Sequence, residues 1–459
     1  MKALKILGWL LLATFLLVVL IYLILVAINW NDQPPSAAAL RFEQIVTDRP
    51  AVADDDNAAT YIMGFSAPSD ADPVVIGARR MAWLETFDGT ADRGKDPLPD
   101  GPNFRSEGSP LVMHLKDACA QDADRAQCGS VFEFIVRAWQ PSDLDALALR
   151  RYEALLTRRA WRDVVPVDVA APLPGYADVM HAQRLYLLRL AQWAAQGRMD
   201  EVREGLAADF VFWRTAVPAA DHLIAQMIAV AALRQHFSLS NLIMRGLTAE
   251  QVTRAMPAEW SREFAASDRS MLRVMAGEAA FFQATMADTQ HQVLGGNPLE
   301  VEQEPSLVSR WVDQLSDPMF KLQATVNARA AIYLRLCEAF SVPMDQYPDV
   351  QRSWSRGFTR PERSLYNPVG GMVLSAGDAS NYVQYALRVA SVEGVRRAAL
   401  LAVQLHAQSA AAGSVDGLVA NSDLHDPYTG KPFEWNIERR SVVFTAPEDH
   451  RWRRSEFFY

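Results

Sequence analysis

The chain has 459 residues, half of them hydrophobic, with sparse glycine and a formal net charge of −9. It contains no dense run of Lys or Arg, so a surface built to track a nucleic-acid backbone is not indicated and no nucleic-acid partner is expected. Beyond the apolar start about 430 residues remain, long for one core and consistent with two packed subregions.

Residues 6–28 carry no charged side chain. About 20 apolar residues at helical rise cross a hydrocarbon core, so this run spans a membrane with some tilt. Lys2, Lys5 and the amino terminus precede it, and Asp32 is the first charge after it. Positive residues stay cytoplasmic, which puts residue 31 onward on the far side. Trp30 falls where an interfacial indole belongs. The competing reading is a secretory peptide cleaved at Ala37-Ala38-Ala39. An ordinary signal has an apolar region of about 7–15 residues, and Pro34-Pro35 separates this run from that site, so an uncleaved anchor is expected.

Residues 31–130 read as loop-rich, punctuated by prolines, with helical patches at 37–46 and 74–87. Residues 88–110 have few large apolar side chains and read as a surface excursion. Cys119 and Cys128 share a polar stretch. On an oxidising side a bridge closing a short loop is the natural pairing, with two unpaired thiols as the alternative. Cys337 reads as a small buried hydrophobe. No Cys-x-x-Cys pair or zinc ligand set is present, and no metal or cofactor is expected.

From residue 131 to 425 the pattern is helical. Apolar residues at three- and four-residue spacing predict helices over 144–161, 176–196, 199–216, 219–244, 257–292, 305–340 and 381–412. Trp193 to Gly197 followed by a helix is similar to one tetratricopeptide-type pair, but no second copy follows at a fixed period. In 426–459, Asp426-Pro427-Tyr428-Thr429-Gly430 is a turn signature, followed by the alternating Phe433, Trp435 and Ile437 and then Val442 to Phe444. That predicts a small β-hairpin.

His222 and His236 fall on one predicted helix but about 21 Å apart along it, so they cannot share a metal. Glu278 has Val274, Met275, Phe281 and Phe282 as helical neighbours and should be buried. Burial raises a carboxyl pKa, which is how general acids are made. The commoner outcome is an interhelical ion pair with an arginine, and that is the expectation. A polar stripe of Gln323, Asn327, Arg335 and Glu338 around Tyr333 is a candidate ligand groove, or simply a solvated i,i+3 pair of Arg335 and Glu338. Tyr366-Asn367-Pro368 with Arg388 and Arg396 is a candidate anion pocket, although Asn-Pro is first a turn signal. Gly-x-Ser-x-Gly, Ser-x-x-Lys, Walker A and Gly-x-Gly-x-x-Gly are all absent.

Four landmarks occur in order: Asp56 to Phe65 (Asp-Asn-Ala-Ala-Thr-Tyr-Ile-Met-Gly-Phe), the Cys119/Cys128 pair, Tyr366 to Gly370, and Asp426 to Pro432. With them the chain resembles an uncharacterised proteobacterial family of membrane-anchored, mainly helical periplasmic proteins. The resemblance implies a location and a helical fold and supplies no mechanism.

The expected fold is all-α: an irregular antiparallel helical array with one N-terminal transmembrane helix and a small C-terminal β-hairpin. The expected organisation is a stub and anchor (1–30), a loop-rich periplasmic region (31–130), a helical periplasmic domain (131–425) and a terminal turn and hairpin (426–459). The expected function is that of a bitopic inner-membrane protein, held through residues 6–28, that binds or scaffolds an envelope partner. The alternative is an envelope hydrolase with Glu278 as general acid or base. No catalytic motif supports an enzyme, and the ligand-binding candidates are Asn327, Arg335, Glu338, Tyr366 and Arg388.

Overall fold

A computed structural model describes residues 2–87, 110–119, 125–164, 171–293, 311, 314–357, 364–376, 380–409, 414–447 and 453–459. The apolar run forms α1 (Lys2–Ile28), whose apolar surface is not covered by the rest of the chain. It is long and apolar enough to cross a membrane. Its end is fixed to the body. Asn29 is buried, donates from Nδ2 to the Leu25 and Leu365 carbonyls at 2.8 and 2.9 Å, and accepts the Asn367 N–H at 2.6 Å. Asp32 accepts the N–H groups of Gln323 and Ala324 at 2.8 and 3.0 Å. It thereby caps from a distance a helix whose own N-cap, Lys321, offers no side-chain bond.

Among the described residues, the region read as loop-rich holds α2 (Ala37–Thr47), α3 (Ala58–Met63), α4 (Pro73–Glu85), α5 (Pro110–Ala118) and the start of α6 (Arg125–Ala138), with α2 and α4 at the two expected patches. Two of its prolines start helices rather than interrupt them. Pro73 follows the N-cap Asp72, and Pro110 opens α5. All of α3 is buried, and its N-cap Asn57 also straps the segment at Arg162, accepting its N–H at 2.9 Å and donating to its carbonyl at 2.8 Å. Residues 88–109 of the expected surface excursion lie outside the described residues. Cys119 and Cys128 form a disulfide between α5 and α6.

The body comprises α7 (Asp143–Leu156), α8 (Tyr176–Ala195), α9 (Met199–Ala219), α10 (Leu223–Arg245), α11 (Ala249–Ala255), α12 (Leu272–Val293), α13 (Leu322–Ala339), α14 (Tyr347–Gly357), α15 (Pro368–Ala376), α16 (Ser380–Ala407) and α17 (Val415–Ala420). Two predicted helices are shorter than their periodicity. Residues 257–292 begin with a 3-10 turn at Ala258–Ser261 and become α-helical only at Leu272. Within 305–340 the described residues 311 and 314–316 are helical, and a 3-10 turn at Asp317–Met319 separates them from α13. Pro218 lies in the last turn of α9, so α10 begins later than expected, with His222 as N-cap.

Helix α10 is the centre of the core and packs on α8, α9, α12 and α16. Its His236 has no exposed surface and neither has Asp209 on α9. Trp260 Nε1 donates to His236 Nε2 at 3.0 Å, and an indole nitrogen can only donate. The proton of His236 is therefore on Nδ1, which donates to Asp209 at 2.7 Å. Asp209 also accepts Gln183 Nε2 at 3.0 Å and the Tyr152 hydroxyl, which itself accepts Trp213 Nε1 at 2.7 Å. Every side chain in the set has a partner, and His236 is a structural histidine.

The C-terminal hairpin is present and carries a third strand. Strands β1 (Glu434–Asn436), β2 (Ser441–Thr445) and β3 (Arg454–Phe458) pair antiparallel in that order, with Glu434 opposite Val443 and Ser441 opposite Phe458. Asp426 orders the preceding turn by accepting the Tyr428 N–H at 2.8 Å. Phe444 lies against α16 at Gly394, where an added Cβ would meet its ring at 2.1 Å. Asn241 of α10 pairs with the backbone of Phe458 in both directions, at 2.8 and 2.9 Å.

Candidate functional site

Glu278 lies one residue after the closest helix–backbone approach in this part of the fold. A Cβ on Gly277 would stand 1.7 Å from the Asp221 carbonyl oxygen, so only glycine lets α12 come against the turn that starts α10. The approach brings Glu278 to the amino end of α10, where its Oε1 accepts the Leu223 N–H at 3.1 Å. Its Oε2 faces the Tyr382 hydroxyl at 3.4 Å, and that hydroxyl accepts from Tyr333 at 2.9 Å. The expected ion pair is not formed: among the described residues no Lys, Arg or His nitrogen lies within ion-pair distance of this carboxylate. The N–H groups at the start of α10 supply the positive potential that an arginine was expected to supply.

Glu278 opens into a cavity of about 390 Å³. From α12, Phe281, Phe282 and Thr285 line it together with Glu278, an i, i+3, i+4, i+7 stripe on one helix face. Helix α13 contributes Arg329 and Tyr333, one turn apart, and α16 contributes Asn381, Tyr382 and Tyr385. The Arg329 guanidinium sits 4.8 Å from the Phe282 ring centre and 5.6 Å from that of Tyr333. Burial pushes the Glu278 carboxyl above its ordinary range, against the opposing effects of the Leu223 N–H, His222 and the Tyr382 hydroxyl. Burial likewise raises both Tyr333 and Tyr382, with Glu278 adding to the effect on each. The pocket thus offers a hydrogen-bond acceptor that keeps its proton to higher pH than a solvated carboxyl, flanked by neutral phenols and aromatic faces.

Behind the pocket is a second polar cluster. His222 bonds Asp163 at 2.8 Å through Nε2, and its Nδ1 accepts the Ala225 N–H at 3.2 Å. Burial lowers the His222 pKa, while the Asp163 carboxylate acts against it and leaves it above the ordinary value. Asp221 pairs with Arg49 at 2.6 Å and accepts the Asp163 N–H at 2.7 Å. These groups tie α2's outgoing segment to the start of α10, and their carboxylates are already committed.

The other sequence candidates do not gather around Glu278. Asn327 and Tyr366 line a separate cavity of about 890 Å³ beside the end of α1. There Asn327 donates to the Pro34 carbonyl at 2.9 Å and accepts the Ser36 N–H at 2.8 Å, while the Tyr366 hydroxyl donates to the Asn31 carbonyl at 3.1 Å. Arg335 and Glu338 are exposed on α13 and line neither cavity, so the polar stripe is not one groove. Arg388 lies over the Tyr385 ring at 5.0 Å. Arg396 is buried and chelates Glu393 at 2.6 and 2.7 Å, which removes it from any anion pocket with Tyr366. Asn367 takes positive φ and accepts the Lys321 and Gly370 N–H groups at 2.9 and 3.2 Å, so this landmark is a structural joint. Sequence reasoning missed Arg329, Asn381, Tyr382 and Tyr385. The one available signal was the pair of tyrosines a turn apart early in the last long helix.

No protein-family model, curated protein or solved structure matches the chain, so the site rests on its own geometry.

Proposed function

We propose that the chain is a single-pass inner-membrane protein, amino terminus inside, whose helical domain stands in the periplasm and binds an envelope ligand at the Glu278 pocket. The observation that carries the reading is the Glu278 carboxyl, without an ion-pair partner among the described residues, facing a cavity of about 390 Å³. That volume suits a small ligand, and a few polar groups set among aromatic rings are what such sites use to orient one. Glu278 accepts, so the fitting ligand presents a hydroxyl or amino donor beside an apolar or ring-shaped body that lies on Phe281, Phe282 and Tyr385.

A second reading, an envelope hydrolase with Glu278 as general acid, draws on the same raised pKa. It ranks behind because the described lining supplies no second carboxylate and no serine or cysteine nucleophile. Asp163 and Asp221 are held by His222 and Arg49.

Native mass spectrometry of the full-length protein in mild detergent tests the binding reading. The parent should carry a small-molecule adduct that Glu278→Gln and Tyr382→Phe both lose. An adduct retained by both variants, or no adduct in the parent, contradicts it.

A further inference from the structure

We propose that the face of the domain surrounding the end of α1 is seated in the headgroup layer of the bilayer, so that the body is apposed to lipid and does not swing on a tether. The proposal rests on α1 spanning the membrane.

The joint between anchor and body is built of buried bonds. Asn29, the first residue after α1, is 1% exposed and holds Leu365 and Asn367 through three contacts of 2.6–2.9 Å with Leu25 included. Asp32 caps α13, and Asn327 clamps Pro34 and Ser36. Helix α1 also touches the 3-10 turn Asp317–Met319, which in turn touches α15. Swinging the body away would expose these groups and break the set together, so the angle between span and domain is fixed by structure.

Fixing that joint fixes the depth of its neighbours. The Leu365 carbonyl bonds to Asn29, so the Leu365 side chain, 64% exposed, stands at the level where the span ends. Trp30 (76%), Leu315 (49%) and Met372 (64%) are exposed around the same joint: Trp30 directly follows Asn29, Leu315 lies two residues before the 3-10 turn, and Met372 is on α15. Single exposed apolar residues are ordinary on a soluble surface and need no explanation. These differ in sharing the one place where the span sets the position of the bilayer. An indole at that level matches the interfacial preference of tryptophan. Burying leucine and methionine side chains in the headgroup and acyl boundary is favourable in proportion to the apolar area removed from water. The occupant that continuity with the span selects is lipid.

Spin labels on the full-length protein test this. Leu365→Cys and Met372→Cys are labelled one at a time in a Cys337→Ser background and reconstituted into phosphatidylethanolamine/phosphatidylglycerol vesicles. Leu17→Cys, within the span, reports the anchor, and Ile437→Cys, 72% exposed near the C-terminal sheet, is the aqueous reference. Circular dichroism confirms that each variant retains the parent's helicity. The ratio of oxygen to nickel-chelate collision at Leu365 and Met372 should exceed that at Ile437 several-fold and approach that at Leu17. Values equal to Ile437, with Leu17 lipid-exposed, overturn the seating and leave the anchor intact. An aqueous Leu17 overturns the anchor and the seating with it. Labels shielded from both agents, with dipolar broadening between copies, assign the face to a second copy and overturn the lipid occupant.

Discussion

The Glu278 carboxylate accepts the backbone N–H of Leu223, the first residue of α10, at 3.1 Å. That bond exists because Gly277 lets α12 touch the Asp221 carbonyl, and it settles how the chain tolerates a half-buried acid without an arginine. The helix start satisfies one oxygen; the other faces Tyr382 and the cavity.

The pH dependence of stability follows from the sign of the Glu278 shift. Its folded pKa lies above the ordinary 4.5, so the folded state binds the proton more tightly than the unfolded chain. The contribution is fully present below the unfolded value and is lost as pH rises through the folded one. Glu278→Gln removes this loss. The melting temperature of the variant relative to the parent should climb as pH rises above the ordinary carboxyl value of 4.5 and be flat below it. A pH-independent difference contradicts the assignment.

Gly277→Ala places a methyl group against the Asp221 carbonyl and should cost about 1–3 kcal/mol or more by overpacking. Gly417→Ala on α17 meets nothing within 4 Å and should be neutral or stabilising by up to about 1 kcal/mol. Denaturant unfolding of the two variants in detergent reads the contrast, and equal effects would remove the close approach.

The Asp209 network predicts a large and asymmetric loss. Asp209→Ala strands the Gln183, Tyr152 and His236 donors in a dry core and should cost about 3–5 kcal/mol. Tyr152→Phe keeps the ring and loses a hydroxyl, for about 1–3 kcal/mol, most of it from leaving Trp213 Nε1 without an acceptor. Comparable midpoints for both variants would contradict the assigned hub.

Alkylation counts the thiols. Unfolded but unreduced protein should take one label, at Cys337, and reduced protein three. In the native state Cys337 should resist reagent, since burial pushes its thiol up to about 12. Three labels without reduction would remove the bridge.

The sequence carried the parts of this fold that depend on local pattern. The uncharged run of α1, the three- and four-residue spacing of α8 to α10 and the alternation of Phe433, Trp435 and Ile437 were all legible as elements. Helix ends were less so, because 257–271 keeps an apolar rhythm while folding as a 3-10 turn and loop around the buried Trp260. In 31–130 the patches at 37–46 and 74–87 were legible and are α2 and α4, whereas α5 was not, because Pro110 marks a helix start as well as a loop. Glu278 was legible as an acid drawn towards the core, and it is half-buried, since its helical neighbours are all apolar. Its partner was not, because a backbone N–H has no residue type and the approach depends on Gly277 meeting Asp221 some 56 positions earlier. Asn327, Tyr366 and Asn367 looked like ligand groups because polar residues that bond to distant backbone have the same composition as those that bond to a ligand.

The most direct measurement is the side of the membrane on which the domain stands. A phosphatase reporter that is active only in the oxidising periplasm is fused after Tyr459 of the full-length protein and assayed in intact cells. Periplasmic residence of the domain predicts high activity in the membrane fraction. An inactive fusion that is expressed at the same level contradicts the orientation, and with it the envelope ligand proposed for the Glu278 pocket.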